Sequence, residues 1–254
     1  MFVTQITIYA MERDGLSELN KWKNSLYRKP LIMRGARQTG KTWLLKEFGK
    51  RTFNNLVYVN FEETPNLRSL FKDDFDISRI ITTLQIYSQK TIIPEETLIV
   101  FDEIQSAEKG ITSLKYFYEN APQYFIIAAG SMLGMAMHSD FSFPVGKVNF
   151  LDLRPMSFAE FLNAVNENGL AEIIRKQEWA VIPVFHNKLT EYLRYYFYVG
   201  GMPEVVNIFA ETRNWELVRQ LQYQILHSYE GDFSKHAPKE IIPRIRGKSS
   251  MFLW

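Results

Sequence analysis

The sequence predicts an α/β fold, a three-layer αβα core on a mainly parallel sheet, with a helical domain after it. Three observations point there. Short apolar runs alternate with amphipathic segments between Leu31 and Ala129, helical spacing alone persists beyond Pro155, and the glycine-bearing stretch GARQTGKT joins the first apolar run to the first amphipathic segment.

The elements follow in order. PLIM, ending at Met33, is the first strand. TWLLKEF follows as a helix with Leu44, Leu45 and Phe48 on its buried face and Gly49 as its expected C-cap. NLVYVNF is the second strand; Ile77, Ile80, Ile81 and Leu84 keep helical spacing; TLIVF is the third strand. Ile111, Leu114 and Phe117 mark another helix, and YFIIAA closes the series. Strands that are apolar throughout belong in a sheet covered on both faces, joined by right-handed crossovers.

After VNFLDLRPMSFAEFL the strand signals fade. The expected division is a core over 1–154, with an N-terminal extension or helix over 1–20, a helical domain over 155–236 broken at Gly200 and Gly201, and the start of a further domain over 237–254. The first ten residues suggest an isolated strand, and Met11 opens a polar helix entry that could mark the natural start. The apolar end, SSMFLW, follows no completed element and reads as a cut.

Composition excludes several chemistries. With 46% hydrophobic residues in 254, the chain can bury a sizeable core. Thirty Lys and Arg against 28 Asp and Glu leave a charge of +2, so the overall balance does not indicate nucleic acid or an anionic membrane as partner. No cysteine is present, which removes disulfides and thiolate chemistry. The four histidines lack zinc spacing, and no serine sits in a nucleophile elbow. Without a signal peptide or a bilayer-length apolar run, the expected compartment is the cytoplasm.

Gly35, Gly40, Lys41 and Thr42 fit G-x-x-x-x-G-K-[ST], the pattern of a phosphate-binding loop. The expected cradle is the backbone N–H groups of Gly35, Ala36, Arg37, Gln38, Thr39, Gly40, Lys41, Thr42 and Trp43, at the positive end of the helix that opens at Lys41. In this role Lys41 reaches the β and γ phosphates of a nucleotide, and the Thr42 hydroxyl ligates Mg²⁺.

Turnover needs more than a cradle. Asp102 and Glu103 end the buried run TLIVF, where open parallel sheets bind their ligands. Asp102 is the expected metal-holding acid and Glu103 the base for an attacking water. Taken alone, the same pair would serve equally as the cap of the next helix. The strand YFIIAA is expected between those of the loop and the acids, with Ser131 at its end as a γ-phosphate sensor or simply a turn former. The aromatic run YLRYYFYVGG reads as domain core in preference to a stacking platform for single-stranded nucleic acid, and the basic tail around Arg244 as a solvated linker.

With GARQTGKT, LIVFDEIQ, AAGSMLG, FPVGKVNFLDLRPMSFAEFL, YVGGMPEVV and YEGDFSKH in this order, the chain resembles a family of bacterial and archaeal AAA-superfamily ATPases that carry a C-terminal domain of unknown function. The resemblance spans about Glu12 to Arg246. It implies a P-loop NTPase core, ATP and Mg²⁺ as ligands, a helical lid, and a further domain from about KEIIPRI. Such sites often take an arginine from a neighbouring subunit, which makes a homo-oligomer an expected partner. Arg37, Arg154, Arg194 and Arg219 are the candidates for a finger or lid sensor, with Arg37 favoured to approach phosphate. The leading expectation is a Mg²⁺-dependent ATP hydrolase. The alternative is a nucleotide-gated interaction or regulatory module with little turnover, acting on an unknown protein or on nucleic acid. A nucleotide kinase is a weaker third reading, because no arginines cluster as a mobile lid would require.

Overall fold

A computed structural model describes residues 12–130 and 144–236, the last five by backbone alone. The chain divides into two compact units, one from Glu12 to Pro155 and one from Met156 onward.

The first unit holds strands β1 (Leu31–Arg34), β2 (Asn55–Asn60), β3 (Thr97–Asp102), β4 (Phe125–Gly130) and β5 (Asn149–Asp152). All pair in parallel, in the order β2-β3-β4-β1-β5. Helices α1 (Asp14–Lys23), α2 (Lys41–Thr52), α3 (Ile77–Ser88) and α4 (Gly110–Asn120) cover the sheet. Alternation along the strands decides which side each helix covers. Ile32, Val57, Ile99, Phe101 and Ile126 pack with Ile80, Leu84, Leu114 and Phe117 of α3 and α4. Met33, Leu98, Val100 and Ile127 face the other way and pack with Leu19 and Trp22 of α1 and Leu44 and Phe48 of α2. Every residue of β3 and β4 is buried, which is why those segments read as unbroken apolar runs. Each of the large side chains stabilises the core by about 1.5–3 kcal/mol through burial alone.

One expectation fails here. Gly49 does not end α2, which continues to Thr52. A Cβ at Gly49 would come within 2.9 Å of Leu56 Cδ1, so this glycine admits the β2 side chain against the helix instead of capping it. The helix stops where Phe53 turns extended and packs edge-on to Phe48 and Phe125.

The second unit is helical in its described part: α5 (Phe158–Ala164), α6 (Asn168–Lys176), α7 (His186–Val199), α8 (Pro203–Thr212) and α9 (Trp215–His236). Ser157 and Glu160 form a reciprocal capping box at the start of α5. Gly200, at φ 75°, ends α7 in a conformation that disfavours a Cβ, and Pro203 opens α8 at a position that needs no N–H. Phe161 stacks on Phe209 at 5.9 Å between ring centres. In the aromatic run, Tyr192, Tyr195 and Tyr196 pack on this core, whereas Phe197 is 76% exposed. Among the described residues no helix is long and apolar enough to cross a membrane.

Candidate functional site

The segment from Gly35 to Gly40 links the C-terminal end of β1 to the first turn of α2. Its path depends on four residues. Gly35 runs so close to Leu153 that a Cβ would lie 2.4 Å from the Leu153 carbonyl oxygen. Gln38 and Gly40 adopt left-handed conformations, φ 62° and 88°, and such alternation turns successive N–H groups to one side. The Thr39 hydroxyl donates to the Ala36 carbonyl at 2.9 Å and braces the turn from within.

Lys41 is buried at the start of α2, and its Nζ donates to the carbonyls of Gly35 and Ala36 at 2.8 and 2.7 Å. Burial pushes its pKa down; Glu103 and Asp102 pull it back up, and Arg37 adds to the depression. Lysine, both acids and Arg37 therefore share one electrostatic neighbourhood.

β3 carries Asp102 to the same place as its last residue, 3% exposed. Thr42 Oγ1 donates to Asp102 Oδ2 at 2.9 Å, although β4 separates β1 from β3. Tyr58 donates to the same oxygen at 2.5 Å, and the Glu103 amide donates to Oδ1 at 3.0 Å. Burial first, then the bond to Asp102 and its charge, raise the Tyr58 pKa far above the usual phenol value. Glu103 lies just past the strand at φ 49°, and its Oε2 accepts from Gln105 Nε2 at 2.5 Å. Although Glu103 precedes a short 3₁₀ turn, Ile104–Ser106, its side chain makes no capping bond to that turn, so the helix-cap reading does not describe it.

β4 lies between β1 and β3, as expected from the sequence. Ser131, next after it, lies outside the described residues, as does the segment 237–254. Trp43 packs, partly buried, against the core shared by α1 and α2. Arg154 contributes its carbonyl, to Arg13. Arg194 and Arg219 line a groove of about 640 Å³ in the helical unit, where Arg219 lies over the Tyr198 ring.

Three residues of the site carried no signal that the sequence reading used. Tyr58 is the polar-tipped member of an otherwise apolar strand, and Gln105 stands two places past the acids. Arg13 is 26 residues from its contact on the loop and has no local signature.

A parallel sheet of order 2-3-4-1-5, with a glycine-lysine-threonine loop after β1 and a buried acid ending β3, defines a protein with the P-loop NTPase fold. The chain belongs to the AAA family, since a model described as AAA domain matches residues 27–162, more than half its length, and a model of a domain of unknown function, DUF8612, matches 190–248. No curated protein matches the sequence. Among solved structures, the Walker-type ATPase PABY2304 of Pyrococcus abyssi is similar at 15% identity and TM-score 0.50, over 95% of this chain and 77% of that one. A point variant of RuvB from Thermotoga maritima is similar at 16% identity and TM-score 0.41, over 78% and 59%. The ORC1 protein of Aeropyrum pernix, in complex with DNA, is similar at 13% identity and TM-score 0.43, over 89% and 67%.

Proposed function

We propose that the protein binds ATP with Mg²⁺ at the loop after β1 and hydrolyses it. The observation that carries this reading is the 2.9 Å contact between Thr42 Oγ1 and Asp102 Oδ2, which joins the phosphate loop to the acid of a non-adjacent strand. A hydroxyl and a carboxylate are the hard oxygen donors that suit Mg²⁺, which takes few protein ligands and completes its shell with phosphate and water. Among the described residues no group of three or more His, Asp or Glu side chains could hold a metal by itself. When bound, the ion neutralises phosphate charge in the transition state.

The protein's own groups would do the rest. Amides of residues 35–43 and the Lys41 ammonium hold the phosphates, and Thr42 with Asp102 holds the ion. Glu103 accepts a proton from the attacking water, and Ser131 contacts the γ-phosphate. The helical unit serves as the lid, and an arginine from a second copy completes the site. Glu103→Gln tests the assignment: it should leave ATP binding unchanged while removing turnover, and turnover at the parent rate would overturn it.

A second reading, a nucleotide-gated interaction module with little turnover, is favoured by the bond between Gln105 and Glu103, which occupies one oxygen of the base. Steady-state hydrolysis measured across protein concentrations separates the two, because a site completed by a neighbouring copy gains specific activity as copies associate.

A further inference from the structure

We infer that Arg13 is a positioning residue for the phosphate loop, one that sets the direction of the loop's amides from outside it; the inference rests on the nucleotide-binding reading above. Arg13 immediately precedes α1 and is 4% exposed. Its Nη1 donates to the Thr39 carbonyl at 3.0 Å and its Nη2 to the Arg154 carbonyl at 2.8 Å. Burying a guanidinium is costly unless its donors are matched, so both carbonyls are integral to its placement.

The consequence follows from peptide geometry. In a trans peptide the C=O and N–H point in opposite directions, and no cis bond occurs among the described residues. Gripping the Thr39 carbonyl therefore turns the Gly40 N–H away from Arg13. Gly40 then bends left-handed into α2, so the direction of this amide is fixed where the helix begins. The start of the loop is fixed from the same quarter: Gly35 presses on the Leu153 carbonyl, and the Leu153 amide donates to the Arg34 carbonyl at 2.8 Å. Both ends of the loop thus rest on Leu153 and Arg154, one directly and one through Arg13.

Arg13 is not what docks α1. Leu19 and Trp22 are buried in the core, and Gly15 lies so close to α2 that a Cβ would be 2.8 Å from Leu44 Cδ2. A lysine at position 13 keeps the charge but lacks the planar fork that spans two carbonyls.

The test is binding of Mg-ADP, by calorimetry, to the full chain and to Arg13→Ala and Arg13→Lys. Loss of a charge-assisted bond that orients the loop should weaken ADP by about tenfold or more in Arg13→Ala. Millimolar guanidinium should restore part of that affinity, where sodium chloride at equal ionic strength does not. Amides of residues 36–42 should exchange hydrogen faster in both variants, with those of β3 unchanged. If Arg13→Ala does not fold, Arg13→Lys decides by the same binding and exchange measurements. Folded variants that bind ADP within twofold of the parent overturn the inference alone, whereas a parent that binds no ADP overturns the nucleotide reading and this inference with it.

Discussion

Tyr58 on β2 donates its phenolic O–H to Asp102 Oδ2 at 2.5 Å, the oxygen that also accepts from Thr42 on α2. One carboxylate oxygen thus collects two hydroxyls from different elements. A cation that binds there would take the Thr42 hydroxyl as a co-ligand and compete with Tyr58 for the oxygen.

Tyr58→Phe removes that competitor. The variant should bind Mn²⁺ more tightly in the presence of ADP, as read by electron paramagnetic resonance, and should lose about 1 kcal/mol of stability with the hydrogen bond. The pH dependence has a definite sign. Because the folded-state pKa of Tyr58 is raised, its contribution is complete below the unfolded phenol value, about 10, and is lost as pH climbs towards the folded value. The difference in Tm between parent and Tyr58→Phe should therefore be constant at neutral pH and shrink in strongly alkaline buffer. A gap that widens there contradicts the assignment.

Gln105 restrains the proposed base. Gln105→Ala removes the Gln105 bond to Glu103 Oε2 and should raise steady-state turnover several-fold without changing ATP affinity. Its own Oε1 is buried without a partner, so the substitution also removes an unmet acceptor, and the variant should be no less stable than the parent in urea. Lower turnover in a folded variant would show that Gln105 aids Glu103 instead.

Two glycines that look alike in sequence should respond differently to alanine. At Gly35 the new Cβ meets a backbone oxygen at 2.4 Å, so the loop must move; a loss of more than about 2 kcal/mol and of nucleotide binding is expected. At Gly49 the Cβ meets the tip of Leu56 at 2.9 Å, which can rotate, and the gain in helix propensity of about 1 kcal/mol offsets the crowding. Chemical denaturation of Gly49→Ala should show a change of less than about 1 kcal/mol.

Most of the core was legible from local pattern. β3 and β4 are fully buried, so their composition alone identified them; of the residues that helical spacing marked, α4 buries Ile111, Leu114 and Phe117 and α3 buries Ile80, Ile81 and Leu84, with Ile77 only partly buried against the same core. Gly49 misled because a helix-ending glycine and a packing glycine differ only in what approaches from another strand.

At the site, the order of residues alone was enough for the parts whose chemistry lies within one short segment. The glycines, lysine and threonine of the loop, and an acid pair at the end of an apolar strand, are fixed by spacing because a turn and a strand end are local objects. Which groups hold those parts in place was settled by folding in three dimensions. Tyr58 reaches Asp102, and Arg13 reaches Thr39 and Arg154, because the order of strands in the sheet and the docking of α1 bring distant residues within hydrogen-bond reach. Such contacts depend on neighbours in space, which spacing along the chain does not encode.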